Sequence, residues 1–254
     1  GFKQLDEKTS GLQPSDLIIV AARPGMGKTA FALNIAQQSA VKAGASVLIF
    51  SLEMSQEQLG QRLIAMQARV ESEKLKKGTL DLKDWDRINF ALNELNNTKI
   101  VIDDTPGISI MEMRNKCRRL KAEQGLDLIV VDYLQLMTFD GRADSRQQEI
   151  SALSRHLKLL AREMNCPVIV LSQLSRAPEL RQDKRPMLSD LRESGSIEQD
   201  ADIVMFLYRD DYYNENTEKP GVCEINIAKH RSGPTDRIDL TWVARYTKFS
   251  DKAL

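Results

Sequence analysis

The sequence predicts an α/β fold in which a mostly parallel central sheet carries helices on both faces and an antiparallel edge formed by its C-terminal strands. Up to Asp202, short apolar runs alternate with longer helical patterns, as parallel strands joined by helical crossovers require. After Asp202, apolar runs follow one another without helical stretches between them. No Gly-, Ser- or Pro-rich linker divides the 254 residues, so we expect one domain over residues 1–254.

The strand predictions rest on runs of apolar residues. Those before Asp202 are almost continuously apolar, as strands covered on both faces by helices should be. They are Leu17–Ala21, Val47–Ser51, Ile100–Ile102, Leu126–Asp132 and Val168–Ser172. The runs that predict the antiparallel edge are Ile203–Tyr208, Val222–Ala228 and Ile238–Val243.

Helices are predicted between the buried strands, over Thr29–Val41, Ser55–Ala68, Leu82–Leu95, Ile110–Glu123 and Gln147–Met164. The second begins with Ser55-x-x-Gln58, a capping box in which each side chain bonds the backbone N–H of the other. Long loops in a compact domain are often functional or mobile. The long loops here are Thr138–Arg146, Ser175–Leu188 and Asp210–Gly221.

Composition excludes several classes of protein. Basic and acidic residues both number 36, so a nucleic-acid surface would have to be local or shared between subunits. Three scattered cysteines and two histidines argue against CxxC-type and histidine-rich metal sites and fit a reducing compartment. No signal peptide or long apolar span is found, so we expect a soluble, cytoplasmic protein without a membrane partner.

A phosphate-binding loop is predicted after the first strand. The string ARPGMGKT matches G-x-x-x-x-G-K-[ST] except for alanine at the first glycine, and a chance match in a glycine-rich turn is the alternative. Gly25 and Gly27 allow backbone N–H groups to turn towards an anion at a helix start. Lys28 would bridge the β- and γ-phosphates of ATP, and the Thr29 hydroxyl would ligate Mg²⁺. The predicted nucleotide-binding residues are Arg23, Pro24, Gly25, Met26, Gly27, Lys28 and Thr29.

Polar residues at the ends of three other strands are candidate partners of this loop. Asp132 ends an apolar strand and is a candidate Walker B aspartate that holds Mg²⁺. The alternative is an aspartate that caps a turn. Glu53 is a candidate for orienting the attacking water; the alternative is an exposed glutamate beside the Ser55 cap. Gln173 is a candidate γ-phosphate sensor, and a surface glutamine is the alternative.

Longer strings resemble one family. AARPGMGKTAFALNIA, FSLEMS, DDTPGIS, VVDYLQLM, LSQLSR, SDLRESGSIEQDADI and IAKHRSGPT are similar to motifs of the C-terminal domain of DnaB-family replicative DNA helicases. The resemblance runs from about Phe2 to about Phe249, and departs at Asp236, where the family commonly has Gly. It implies a RecA-like P-loop NTPase fold, ATP and Mg²⁺, a homohexameric ring, and a primase and a helicase loader as partners. The family's N-terminal domain and linker helix are not found, so we expect an isolated motor domain.

The resemblance also implies where DNA would bind. Arg192, Glu193 and Gly195 would line a central channel and hold the backbone of single-stranded DNA, with Glu193 orienting Arg192. Arg176 and Arg142, in two of the long loops, are further candidates, although a solvated loop explains these charges equally well. The sequence has no dense group of aromatic residues on which bases could stack. We therefore expect contacts to the DNA backbone that do not depend on the DNA sequence.

A finger that acts on a neighbouring subunit is implied next. Lys229 and Arg231 follow the predicted strand Val222–Ala228 and resemble the pair that reaches a neighbour's γ-phosphate; a solvated basic turn is the alternative. Because side chains alternate along a strand, we expect Ile225 and Ile227 to share a face with these two cations.

The resulting hypothesis is an ATP-hydrolysing DNA helicase motor that translocates on single-stranded DNA and unwinds duplex. One alternative is a RecA-like recombinase or clock-type ATPase, which shares the phosphate loop, glutamate and aspartate. The strings DLRESGSIEQDAD and KHRSGPT argue against that alternative. A non-catalytic assembly module that binds nucleotide only structurally is a second alternative. The complete set of Lys28, Thr29, Glu53 and Asp132 argues against it.

Overall fold

The structure, a computed structural model, describes residues 1–139, 141, 143 and 145–252, with residues 192–195 described by their backbone alone. The described strands form one nine-stranded sheet in the order β3-β2-β4-β5-β1-β6-β7-β8-β9. They are β1 (Leu17–Ala22), β2 (Ser46–Ser51), β3 (Lys99–Asp103), β4 (Leu128–Asp132), β5 (Val168–Gln173), β6 (Ile203–Tyr208), β7 (Val222–His230), β8 (Asp236–Val243) and β9 (Lys248–Asp251).

The helices include the five that the sequence predicts and three short ones that it does not, α1, α4 and α8. They are α1 (Lys3–Thr9), α2 (Lys28–Ala43), α3 (Gln56–Ala68), α4 (Ser72–Lys77), α5 (Leu82–Asn96), α6 (Ile110–Gln124), α7 (Arg146–Met164) and α8 (Gly195–Asp200). The predicted capping box of α3 is confirmed, because the Ser55 hydroxyl accepts from the Gln58 N–H and the Gln58 amide accepts from the Ser55 N–H. No helix in the described part of the chain is both long enough and apolar enough to span a membrane.

Strand directions confirm the predicted sheet. All pairings among β1 to β6 are parallel, whereas β6–β7, β7–β8 and β8–β9 are antiparallel. Three predicted strand boundaries are wrong by two residues: β7 ends at His230 instead of Ala228, β8 begins at Asp236 instead of Ile238, and β4 begins at Leu128 instead of Leu126. Asp127 lies just before it, and its carboxylate accepts from the Ser46 N–H at 2.8 Å. The Asp127 N–H also donates to the Ser46 carbonyl at 2.8 Å, so Asp127 bonds the start of β2 with both its backbone and its side chain.

Helices cover both faces of the sheet, as predicted. Because side chains alternate along a strand, neighbouring residues of β1 enter different cores. Ile18 and Val20 pack in a core with residues of α2 and α3. Leu17 and Ile19 pack in a second core with residues of α6 and α7. All four side chains are at most 1% exposed, which explains why the strand reads as a continuous apolar run.

A β-bulge in β7 overturns the expected alternation of side chains near its end. Ile227 pairs with Met205 and Lys229 pairs with Val204, so Ala228 is left without a counterpart on β6. Met205 and Val204 belong to different cores. Lys229 is therefore on the opposite face from Ile227, and the expectation that they share a face is wrong. Sequence periodicity assumes a regular strand, and one extra residue reverses it.

Candidate nucleotide site and DNA segment

The carboxyl ends of the parallel strands meet at one edge of the sheet and bring most of the predicted nucleotide residues together. Ala22 at the end of β1 pairs with Gln173, and Ser51 at the end of β2 pairs with Asp132. A cavity of about 300 Å³ opens there. It is lined by Ala22, Arg23, Pro24, Gly25, Gly27, Lys28, Thr29, Ala30, Glu53, Arg62, Gln173, Trp242 and Thr247.

The phosphate loop connects the end of β1 to the start of α2 and is held from behind by aromatic side chains. Gly25 and Gly27 have φ of 80° and 92°, a left-handed conformation that glycine adopts without steric cost. A Cβ on Gly27 would lie 3.0 Å from the Phe249 ring, and one on Gly25 would lie 2.8 Å from the Tyr212 ring. Met26, predicted to bind nucleotide, has its side chain buried in the core at 1% exposure, so only its backbone can face a ligand.

Thr29 and Asp132 form the part of the cavity best suited to a metal ion. The Thr29 hydroxyl donates to Asp132 Oδ2 at 2.7 Å. Asp132 is 2% exposed, and this burial raises the pKa of its carboxyl, opposed by the Thr29 hydrogen bond and by Lys28. The other oxygen, Oδ1, is buried without a hydrogen-bond partner in the described residues. A buried carboxylate oxygen with an open coordination position beside a hydroxyl fits a hydrated Mg²⁺.

Two cations and a second carboxylate lie around this pair. Burial lowers the pKa of Lys28, and the charges of Asp132 and Glu53 oppose that shift. Burial likewise lowers the pKa of Arg62 in α3, again opposed by Asp132 and Glu53. The Lys28 ammonium also lies 4.5 Å from the centre of the Tyr133 ring. The arrangement can neutralise phosphate charge from two sides.

Arg62 is a site residue that the sequence reasoning missed. The predicted partners of the phosphate loop all follow strand ends, whereas Arg62 lies in the middle of α3. It is three residues after Leu59 and four before Met66, and both of these are completely buried. The position of Arg62 on the apolar side of its helix could have predicted a site residue, because a charge there needs a partner or a polar cavity.

Gln173 is exposed at the end of β5 and lines the cavity. Its backbone is held by Gln135, whose amide donates to the Gln173 carbonyl at 3.3 Å and accepts from the Gln173 N–H at 3.4 Å. Gln135 follows β4, so it links the ends of two neighbouring strands. The position of Gln173 fits a group that hydrogen-bonds a phosphate oxygen.

Arg23 lines the cavity, but its guanidinium is turned towards the chain that follows β5. Its Nε donates to Glu179 at 2.9 Å, and its Nη1 donates to the Leu174 carbonyl at 2.8 Å. The pair with Arg23 lowers the pKa of Glu179. A phosphate contact by the Arg23 side chain would require this pair to open, so Arg23 connects the phosphate loop to the next loop in the conformation described.

The predicted DNA residues are only partly described. Arg142 lies outside the described residues, as do the side chains of Arg192 and Glu193, and Gly195 is described by its backbone. The backbone of Leu188–Ser194 is a kinked 3₁₀ helix, and α8 starts directly after it. Arg176 is exposed at the start of a short turn after β5. These positions leave the DNA assignments as predictions.

The start of this segment is anchored by a bidentate ion pair. Both terminal nitrogens of Arg181 donate to the two oxygens of Asp190, at 2.8 and 2.7 Å. Asp190 is 6% exposed and also accepts from the Met187 N–H at 2.8 Å. Fork-to-fork pairs of this kind fix orientation as well as distance. The backbone that leads to residue 192 is therefore held in place.

Lys229 and Arg231 lie at the edge of the sheet away from the cavity. β7 runs antiparallel to β6, and its last residue, His230, pairs with the first residue of β6, Ile203. β6 in turn begins beside the start of β1, whereas the phosphate loop follows the end of β1. The six residues of β1 separate the two cations from their own phosphate loop by about 20 Å.

A family model described as DnaB-like helicase C terminal domain matches residues 1–251. The chain belongs to this family. The DnaB-like C-terminal domain is 58% identical over 250 residues to the replicative DNA helicase DnaC of Bacillus subtilis (strain 168), and 57% identical to the replicative DNA helicase DnaB of Geobacillus stearothermophilus. Each match covers 98% of this chain and 55% of the relative, so the chain spans about half the length of these relatives.

Two solved structures have the same fold. One, described as an ATPase domain, superposes with a TM-score of 0.96 at 43% identity, over 100% of this chain and 90% of the other. A DnaB-like replicative helicase described together with its interactions with primase also gives 0.96 at 43% identity, over 100% of this chain and 61% of the other. These matches confirm the resemblance and the RecA-like α/β fold that it implied.

Proposed function

We propose that this chain is the ATP-hydrolysing motor domain of a replicative DNA helicase. In this proposal it works in the cytoplasm as a homohexameric ring, hydrolyses ATP at subunit interfaces, translocates on single-stranded DNA and unwinds duplex. The observation that carries the proposal is the cavity in which Lys28, Thr29, Glu53 and Asp132 meet. A module that binds nucleotide only structurally has no need of a carboxylate that can act on water.

ATP binding is assigned to the phosphate loop. The N–H groups between Gly25 and Thr29, at the start of α2, would receive the phosphates, and Lys28 would neutralise their charge. Thr29 and Asp132 would hold Mg²⁺, which supplies charge neutralisation between the β- and γ-phosphates when bound. The unpartnered Oδ1 of Asp132, buried among the described residues, supports this assignment.

The attack on the γ-phosphate is assigned to water held by Glu53. Glu53 lines the cavity within the electrostatic range of Lys28 and Arg62. Its carboxylate would accept a hydrogen bond from the water and take its proton as the new oxygen–phosphorus bond forms, while the bond from the γ-phosphorus to the β–γ bridging oxygen breaks and ADP leaves. Arg62 and Gln173 would contact the departing phosphate oxygens, since both line the same cavity.

We assign Lys229 and Arg231 to the nucleotide of a neighbouring subunit. Their position at the far edge of the sheet supports this, because they are about 20 Å from their own phosphate loop. A cation supplied from a neighbour would make hydrolysis depend on the interface between subunits. We assign a primase and a helicase loader as partners from the similarity to the family. A primase is the partner described for a DnaB-like structural neighbour.

ATP turnover with and without single-stranded DNA tests this function most directly. A helicase motor should show DNA-stimulated turnover and displace a strand from forked DNA with one polarity. A recombinase would instead exchange strands between duplexes. Nucleotide binding without turnover under any condition would support the non-catalytic assembly module and overturn the proposal.

Replacing Thr29 by valine tests the metal assignment. We expect turnover to require at least about tenfold more Mg²⁺, because the hydroxyl that faces the metal position and bonds Asp132 is lost. A Mg²⁺ titration of turnover measures the effect. Thr29→Ser is the matched control, since it keeps the hydroxyl and should retain the original Mg²⁺ dependence. Equal Mg²⁺ requirements for Thr29→Val and wild type would remove Thr29 from the metal site.

Replacing Arg192 by alanine tests the DNA segment. We expect weaker binding of single-stranded DNA of every sequence, together with a shallower salt dependence, because one phosphate contact is lost. ATP binding should not change. The control is Arg87→Ala, an exposed arginine on α5. Fluorescence anisotropy over a range of salt concentrations measures both effects, and an unchanged affinity and slope would exclude Arg192 from the DNA site.

A further inference from the structure

Helix α8 lies between the predicted DNA segment and the predicted finger. It begins at Gly195, directly after residues 192–194, and ends at Asp200. Ile197 in its first half is completely buried, and the Ser196 hydroxyl donates to the Ser151 hydroxyl of α7 at 2.7 Å. The helix is therefore packed against the body of the domain, and it connects the DNA segment at its start to the finger contacts at its end.

The C-terminal end of α8 holds both finger residues through backbone carbonyls. The Lys229 ammonium donates to the carbonyls of Glu198 and Ala201, the second at 2.8 Å. The Arg231 guanidinium donates to the Gln199 carbonyl. The last carbonyls of a helix have no partner within the helix and carry partial negative charge, so they favour cations. Burial also lowers the pKa of Lys229.

Asp202 joins this contact to the rest of the domain. One of its oxygens, Oδ2, accepts from the Leu17 N–H at 2.8 Å and from Lys158 of α7. The other, Oδ1, lies 3.6 Å from the Arg231 guanidinium. The Asp202 carbonyl also accepts from the Arg231 N–H at 2.9 Å. Its side chain is 12% exposed, against 49% for Arg231, so a well-buried carboxylate lies beside the more exposed cation.

We propose that Asp202 is a positioning residue that fixes Arg231 to the end of α8. As a result, the DNA segment and the finger of one subunit move together. This inference rests on the proposed function. Asp202 precedes β6 and accepts from the first residue of β1, while the phosphate loop of its own subunit follows the end of β1. It therefore acts through Arg231 and not on its own nucleotide cavity. DNA bound by one subunit would thereby control hydrolysis in its neighbour.

Asp202→Asn removes the charge and keeps the shape, including an oxygen that can still accept from Leu17. We expect DNA-stimulated kcat to fall roughly 10- to 100-fold, because a small misplacement of a catalytic group has an effect of this size. The KM for ATP should stay within about twofold, since the phosphate loop is not touched. Lys158→Gln is the matched control, as it also breaks the Lys158–Asp202 pair and leaves the carboxylate beside Arg231. Equal losses in the two variants would overturn the proposal.

Mixed oligomers identify the nucleotide site on which Asp202 acts. If it positions the finger, Asp202→Asn subunits should regain turnover when mixed with Glu53→Gln subunits, which supply intact fingers. They should not regain it when mixed with Arg231→Ala subunits. The reverse pattern would mean that Asp202 serves its own cavity and would overturn the inference. A mixture of Glu53→Gln and Arg231→Ala subunits tests the finger itself, so failure of the proposed function is distinguished from failure of this inference.

Hydrogen exchange on the unmodified chain provides a test that does not depend on the folding of a variant. Adding a single-stranded oligonucleotide should change protection at residues 195–202 and at residues 229–231 together. The Arg231 amide is the informative probe, because it donates to the Asp202 carbonyl. Protection confined to residues 195–202, with no change at residues 229–231, would show that the two regions are independent and would overturn the proposal.

Discussion

Replacing Glu53 by glutamine is expected to lower ATP turnover by about 10²–10⁴-fold and to leave ATP binding intact. Loss of a positioned general base costs a factor of this size, since the amide has a similar shape but accepts a proton far less readily. Glu53 lies in the cavity with Lys28 and Arg62, neither of which the substitution changes. Steady-state turnover and binding of a fluorescent ATP analogue measure the two effects separately.

Lys28→Ala is the companion variant that separates binding from chemistry. It should lose turnover and also bind ATP more weakly, because the lysine neutralises phosphate charge in both the ground state and the transition state. Glu53→Gln should therefore resemble wild type in binding and Lys28→Ala in turnover. Normal turnover by Glu53→Gln would show that another group orients the attacking water.

Replacing Arg231 by alanine is expected to remove DNA-stimulated turnover and unwinding while ATP binding is retained. Arginine fingers supplied by a neighbouring subunit contribute roughly 10³–10⁵-fold to rate in well-studied GTPases, and we expect a loss of that order. The matched control is Arg237→Ala, a half-exposed arginine on the neighbouring strand β8. It removes the same charge from the same edge of the sheet and should leave turnover near the wild-type value.

Mixing Arg231→Ala with Glu53→Gln subunits tests whether the site is shared. Each variant lacks a different half of the site, so some interfaces in a mixed oligomer carry both intact halves and should hydrolyse ATP. Native mass spectrometry first establishes that mixed oligomers form. Confirmed mixing without any recovery of turnover would contradict a model in which single interfaces act independently. Full activity of Arg231→Ala alone would exclude the finger role.

The predictable parts of this molecule depend on local rules. Strand β1, the phosphate loop and α2 follow one another in the chain, so composition and spacing identify them without knowledge of the fold. Asp132 and Glu53 were predictable for a related reason. Parallel strands place their carboxyl ends at one edge, and any polar residue just after such a strand is brought to that edge.

The unpredicted parts depend on contacts between distant segments. Arg62 reaches the cavity because α3 packs against α2, and Trp242 and Thr247 reach it because the antiparallel edge packs against the first half of α2. The bulge at Ala228 is a single extra residue in the pairing with β6, and nothing in the alternation of Val222–Ala228 signals it. Helix α8 has six residues, too few for an apolar periodicity that would predict a helix.

The packing of Phe249 behind Gly27 means that the phosphate loop is fully supported only late in synthesis of the chain. The phosphate loop leaves the ribosome early, whereas β8 and β9, which carry Trp242 and Phe249, leave it late. The Phe249 N–H also donates to Asn34 in α2 at 3.2 Å, so β9 supports the helix as well as the loop. A nascent chain that ends before Trp242 already contains Lys28, Glu53 and Asp132, but it lacks the two aromatic side chains that pack behind Gly27.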